Sequence, residues 1–460
     1  MRNLLRQGFL ILVLTVVCAA GVQKVMLHED EEEKAVRAAV KILLPEEAIQ
    51  ETKELAIDRT KEEVKLPSYF DYRQEGRAPK VRDQERFETC WAFASLTALE
   101  SSLLPDEELD FSRDHLTFHN SFGMGTDEGG SYVMSVAYLT AWQGPVYEQD
   151  DPYGDNISPI GLSAVRHVQE VRMPADKDYE AVKQTIYLHG GVESSLYVDF
   201  SDPREPSDYF NRDNFSYYYE GDELPNHDVV IIGWDDEYPA ENFIVQAPGN
   251  GAFICQNSWG TGFGDGGIFY VSYYDSNIGK YNVAFTKVEY EDNYEVLYQS
   301  DLCGWCGQVG YNTEIASFAN IYTATGDQKI QAIGIYATGN DTEYHLAVKT
   351  NYTGKEELAD VEYVQAGYLQ YPGFYTINLE MPVFVKEGEK FAAVVEIMTP
   401  EAVCPIAVEY ASEELGKAVY LGDGEGYISS DNRHWERVEE EQNSNLCLKV
   451  YADRDEGENE

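Results

Sequence analysis

A chain of 460 residues is long enough for two or three domains, each with its own core. Its 43% hydrophobic and 13% aromatic content exclude a disordered polymer. A formal net charge of -48 excludes nucleic acid and anionic membrane surfaces as partners, because both repel so acidic a protein. That charge suits a soluble extracellular protein, or one living in salt that screens its self-repulsion.

The chain begins with Arg2 and Arg6, an apolar run from Phe9 to Val17, then Cys18-Ala19-Ala20. This order predicts a signal peptide over residues 1–20 and a secreted or extracellular-surface location. Bulky Val17 argues against lipid attachment at Cys18, and an uncleaved signal anchor is the alternative. Any membrane contact passes through this segment. Residues 21–65 are rich in Glu and Lys, with helix composition over Glu33–Leu44 and Ala48–Ile57. They read as a charged linker or a propeptide that covers a site until removed.

At Leu66-Pro67-Ser68-Tyr69 the composition changes, and a globular domain is expected over residues 66–290. Ala92, Leu96, Leu99 and Leu103 share one face of a helix that starts at Cys90 and ends before Pro105. A cysteine at a helix N-terminus meets unpaired N–H groups and the positive end of the dipole, both of which favour the nucleophilic thiolate. Gly129-Gly130 lets a backbone or ligand approach closely, and helices follow over Met134–Trp142 and Tyr179–His189. Strands are then predicted at Val192–Phe200, Asp228–Trp234, Gly251–Trp259 and Gly267–Tyr273. A helical first half and a strand-rich second half make an α+β domain of two lobes with a cleft between them.

From about residue 291 the periodicity is almost wholly β. Runs at Ile330–Ala337, Tyr344–Thr350, Phe374–Leu379, Phe391–Met398 and Cys447–Ala452 predict an all-β sandwich over residues 291–452. Residues 453–460 read as an acidic disordered tail. Cys303, Cys306, Cys404 and Cys447 fit two disulfides, a zinc site built on Cys303-Gly-Trp-Cys306, or plain buried thiols.

Four pieces then stand in order: Gln84 six places before Cys90-Trp-Ala-Phe, Asn226-His227 before an apolar strand, Asn257-Ser-Trp-Gly260, and the glycine-rich stretch ending at Gly267. Over about residues 66–285 the chain resembles the papain-like cysteine peptidases of the C1 family, in the bacterial type with a lectin-like domain after the catalytic one. The resemblance implies a two-lobed catalytic domain, one lobe helical and one like a β-barrel. It implies a secreted endopeptidase in which Cys90 attacks the peptide carbonyl, His227 carries and returns the proton, and Asn257 orients His227. Gln84 and the Cys90 N–H would form the oxyanion hole. Trp259 would shield the His–Asn bond, and Gly129 and Gly130 would bind an extended substrate.

No cofactor or metal is needed for that chemistry. The expected partners are a protein or peptide substrate and, for the β domain, a carbohydrate or cell-surface ligand. The rival reading is a surface adhesin or carbohydrate-binding protein on an inactive peptidase scaffold, and a transferase or ligase on the same nucleophile is a third.

Two departures stand out. Glu88-Thr89 replaces the family's Gly-Ser before the nucleophile, and a carboxylate there would oppose the thiolate unless it faces solvent. Glu88 would also favour basic substrate side chains, so Glu88→Gly is expected to raise activity or broaden specificity. The family disulfide is absent at both ends, where Phe87 and Asp127 stand instead.

Overall fold

Two β-rich halves are joined through one continuous sheet. The computed structural model describes residues 55–200, 206–410, 419–422, 424 and 426–455. The predicted signal peptide, the helix over Glu33–Leu44 and nearly all of the one over Ala48–Ile57 lie outside those residues. Residues 55–65 run without regular structure along the seam between the halves. Lys61 pairs with Asp341 at 2.7 Å, and Glu62 with Arg172 at 2.5 Å.

The first half is built on the helix Cys90–Leu103, whose residues from Trp91 to Ser101 are all buried. Its apolar faces meet the sheet on one side and the helix Tyr132–Thr140 on the other. Within the helix, buried Glu100 is matched by buried Arg113 through two hydrogen bonds of 2.6 and 2.9 Å. A bidentate pair of this kind keeps both charges compensated.

The sheet behind the helix is centred on the strand His227–Asp235, which continues to Ala252–Gln256 and Ile268–Ser272. On its other edge lie Tyr69–Asp71 at one end and Val192–Leu196 at the other. The register Leu196↔His227 and Ser195↔Asp228 places the start of the His227 strand at the cleft between the lobes.

The second half is a sandwich. One six-stranded sheet contains Thr342–Lys349, Lys390–Met398 and Ile315–Thr323. The facing six-stranded sheet contains Leu448–Arg454, Gln328–Ala337 and Gly373–Val385. It does not stop at the domain boundary. The Gly373 strand pairs antiparallel with His167–Arg172 of the first half, which pairs in turn with Ala284–Glu289. Cys303, Cys306, Tyr336, Phe374, Cys447 and Tyr451 belong to the same hydrophobic cluster as the Cys90 helix. A shared sheet and a shared core hold the halves in one arrangement, unlike the polar interfaces that let domains move.

Two sequence expectations change. Asp453 and Arg454 are not tail but the last residues of a strand, paired with Lys329 and Gln328, and Asp455 bridges to Lys329 at 2.8 Å. The four late cysteines are buried, and Cys303, Cys306 and Cys447 are unbridged thiols, so the two-disulfide reading gives way to the buried-thiol one. Cys306 Sγ donates to the Cys303 carbonyl at 3.1 Å, and Cys303 Sγ points to the Ser121 carbonyl at 3.8 Å. The Cys303–Cys306 turn is a docking element: Gly304, at φ +60°, packs against Ala137 of the Tyr132 helix. Among the described residues, no group of three or more His, Cys, Asp or Glu is arranged to hold a metal ion.

Candidate active site

Cys90 is the first residue of its helix, and Thr89 is the N-cap residue. The Thr89 hydroxyl is bound to Tyr153 at 2.7 Å, so no side chain caps the first turn. The unpaired N–H groups of that turn and the helix dipole are left for whatever binds there.

His227 opens the strand that crosses behind this helix end. Its Nε2 lies 2.8 Å from Asn257 Oδ1. That oxygen can only accept, so Nε2 carries the hydrogen and Nδ1 is the nitrogen free to exchange a proton. The Trp259 ring stacks on the imidazole at 4.6 Å between centroids, covering the His–Asn pair.

Gln84 is held at both ends of its amide. Its Oε1 accepts from Ser258 Oγ at 2.6 Å, and its Nε2 donates to the Phe87 carbonyl at 2.8 Å. An amide nitrogen has two hydrogens, so one remains for a ligand. Gly129 has φ +71°, and a Cβ on Gly130 would lie 2.4 Å from the Trp91 ring. Neither position accepts a side chain without rearrangement.

Cys90, His227, Gln84, Glu88, Gly129, Gly130 and Trp259 all line one cavity of about 690 Å³, and Asn257 stands behind His227. The β domain supplies part of the wall through Trp305, Gln308, Tyr336, Thr338 and Pro372. Sequence reasoning gave no hint of this contribution.

It also missed two carboxylates. Asp228, next to His227, lines the cavity, and Glu193 lies immediately behind it with 1% exposure. Ser195 Oγ donates to Asp228 at 2.5 Å and Ser95 Oγ to Glu193 at 2.5 Å. Burial raises both: Asp228 to about 6, and Glu193 well above its ordinary value, with Asp228 as the next cause. The available signal was a charged residue inside each of two buried strands, Asp228-Val-Val-Ile-Ile and Val192-Glu193-Ser-Ser-Leu196.

Burial pushes the Cys90 thiol up, with Asp228 adding to it, and pushes His227 down to about 4. Taken singly, each group is held neutral. Moving the proton from Sγ to Nδ1 creates a thiolate and an imidazolium together, so neither charge is left alone in the low-dielectric site.

Glu88 is exposed at the mouth of the cavity. The carboxylates that act on Cys90 are Asp228 and Glu193. Where the family disulfide is missing, the two loops are tied by a backbone bond from Glu88 N–H to the Thr126 carbonyl at 2.9 Å, while Phe87 is buried against Tyr153. Four other histidines lie outside the cavity: His115 bonds Tyr138, His119 lies against the His115 ring, His167 stacks on Trp142, and His189 pairs with Glu62.

Residues 66–288 match the family described as papain family cysteine protease, and residues 297–452 the lectin like domain. A cysteine protease of Blomia tropicalis is 27% identical over 232 residues, covering 46% of this chain and 63% of that protein. Cathepsin K of Gallus gallus is 29% identical over 216 residues, covering 44% and 58%. The chain thus spans about three fifths of the length of these curated relatives. The crystal structure of the cysteine protease and lectin-like domains of Cwp84, a surface layer associated protein of Clostridium difficile, has the same fold. It superposes with a TM-score of 0.75 at 24% identity and covers 85% of this chain and 90% of that one. No helix among the described residues is long and apolar enough to cross a membrane.

Proposed function

With residues 66–288 in the papain family of cysteine proteases and residues 297–452 forming a lectin-like domain, we propose that this chain is an exported cysteine endopeptidase. The observation that carries the reading is a single cavity. It brings together a cysteine at an uncapped helix N-terminus, a histidine oriented by Asn257 at 2.8 Å, and a tethered glutamine amide.

In the proposed reaction Cys90 Sγ, as the thiolate, attacks the carbonyl carbon of a peptide bond. The negative charge gathers on the carbonyl oxygen, which takes hydrogen bonds from Gln84 Nε2 and the Cys90 N–H. His227 Nδ1 gives its proton to the departing amine, leaving a thioester on Cys90. Water then attacks the thioester with His227 as base, and the carboxylic acid leaves as the thiol reforms. The β domain, by its lectin-like fold and its place on the cavity wall, serves to hold the enzyme to a carbohydrate or surface ligand and to shape the cleft.

The test is labelling of the full chain, before and after any self-processing, with a peptidyl epoxide, beside Cys90→Ala. Casein hydrolysis is followed in parallel. One label per chain at Cys90, with proteolysis falling about 10³-fold or more in Cys90→Ala, supports the proposal. A folded chain that neither labels nor cleaves returns it to the surface-binding scaffold.

A further inference from the structure

The wall of the cavity next to Cys90 is acidic in a way the peptidase chemistry does not require. Directly opposed residues of antiparallel strands face the same side, as do residues two apart on one strand. Ser195↔Asp228 and Glu193↔Val230 therefore place Asp228, Ser195 and Glu193 on one face of the sheet, toward the Cys90 helix. The bonds from Ser195 to Asp228 and from Ser95 to Glu193 fit that direction. Asp228 and Ser195 line the cavity, and Glu193 Oε1 behind them is buried without a hydrogen-bond partner.

No cation answers these two carboxylates among the described residues; burial, a serine hydroxyl on each, and the repulsion of Asp228 on Glu193 are what act on them. Among the described residues, Arg86 is the one Lys or Arg lining the cavity, and its guanidinium lies over the Phe87 ring at 5.2 Å, on the Gln84 side. Carboxylates withdrawn from water without a counter-charge, Glu193 fully and Asp228 in part, are costly, and they recover most from a cation that enters the same space. The neighbouring walls suit such a visitor. Tyr132 and Tyr281 stack with centroids 6.2 Å apart, and Met173 and Pro174 add apolar surface. An aliphatic stem can lie along these groups with its charged head at Asp228.

We propose that this pocket selects a substrate with Lys or Arg as the second residue before the scissile bond, and that Asp228 is the residue that sets the preference. An extended substrate whose carbonyl sits at Cys90 runs along Gly130 on its acyl side. Side chains alternate, so the second residue turns toward the face that carries Asp228 and Ser195. Asp228 is thus a specificity-determining residue. The inference rests on the peptidase reading above.

The experiment compares fluorogenic peptides that differ only at that second position: Arg, Lys, citrulline, norleucine and Glu. Epoxide titration of Cys90 gives the active-enzyme concentration, so a dead enzyme is told apart from an unselective one. Wild type should prefer Arg over its neutral isostere citrulline by about tenfold or more in kcat/KM. Asp228→Asn, compared by the same Arg-to-citrulline ratio, should reduce that preference to about twofold or less. Any general loss of rate in the variant cancels in the ratio. Equal cleavage of Arg, citrulline and norleucine peptides by wild type overturns the proposal even if the variant does not fold. A preference that survives Asp228→Asn but falls in Asp176→Asn, a change to another carboxylate lining the cavity, overturns the assignment to Asp228. Absence of both label and turnover removes the peptidase reading and this proposal with it.

Discussion

Two pairs of carboxylates in this molecule, one fully buried and one made of a buried Glu193 and a half-buried Asp228, are differently answered. In the β domain, Asp301 and Glu409 are 0% and 1% exposed, and Lys449, also 0% exposed, sits 2.8 Å from Asp301 Oδ1. Glu409 receives Asn445 Nδ2 at 2.7 Å and the Cys303 N–H at 2.6 Å, so it anchors the turn that docks on the first half. In the cleft, Glu193 and Asp228 receive one serine hydroxyl each and no cation. The first group has its compensation inside the fold and does structural work. The second leaves charge unanswered beside an open cavity, which is where a substrate can answer it.

The sharpest break in this comparison is Lys449→Met. It strands Asp301 without its partner, and unfolding in urea should show a loss of about 3–5 kcal/mol. Glu193→Gln removes a buried carboxylate that has no partner cation. It should leave stability at pH 7 unchanged or raise it by up to about 2 kcal/mol. If both variants lost stability alike, the two groups would be doing the same job and the contrast would fail.

The next effect is in pH. Asp228 titrates near 6 in the folded chain against an ordinary carboxyl value of 3.8. A raised carboxyl favours the folded state fully below the unfolded value, and that contribution is lost as pH rises through the folded one. Wild type should therefore lose stability relative to Asp228→Asn between pH about 4 and about 6, by on the order of 3 kcal/mol. His227, depressed to about 4, runs in the opposite sense from 6.5 downward, and it is common to both proteins. The difference between the two denaturation curves isolates Asp228. A flat difference across that range would show that burial does not hold its proton.

What sequence made legible and what it hid follow one physical division. Gln84, Cys90, His227 and Asn257 each sit in a short run whose chemistry is local, and the structure brings all four to one cavity or its immediate wall. Five strands of the β domain were legible from alternation, though their ends moved by up to six residues, while Ile315–Thr323 in the middle of one sheet was missed. Long-range pairing left no such mark. His167–Arg172 reads as a mixed polar stretch because its partners, Gly373 and Ala284 onward, stand far off in the chain. The Cys303–Cys306 spacing suggested bonding to metal or to another cysteine, yet the turn is buried against Ala137 and carries Trp305 to the cleft. Glu88 drew notice by standing next to the nucleophile in sequence; Glu193 is a hundred residues away and closer in effect.

Trp305 tests whether the shared wall matters to catalysis. Trp305→Ala removes an aromatic face contributed by the β domain while leaving Cys90, His227 and Gln84 untouched. KM for peptides should rise several-fold with kcat nearly unchanged, the pattern of lost uniform binding. An unchanged KM would reduce the β domain to a surface anchor with no part in the cleft.

The smallest effect belongs to Glu88. Its carboxylate is exposed at the cavity mouth, where water and salt screen it, and exposed charge pairs are worth about 0–1 kcal/mol. Glu88→Gln should therefore change kcat/KM for Arg-containing peptides by about twofold or less, and 0.5 M salt should erase even that. Asp228, half-buried in the cavity wall and bonded by Ser195, should resist the same salt better. If Glu88→Gln instead removed most of the preference for a basic side chain, the selectivity would lie at the rim. The buried pair would then be a cost of the fold, with no part in choosing the substrate.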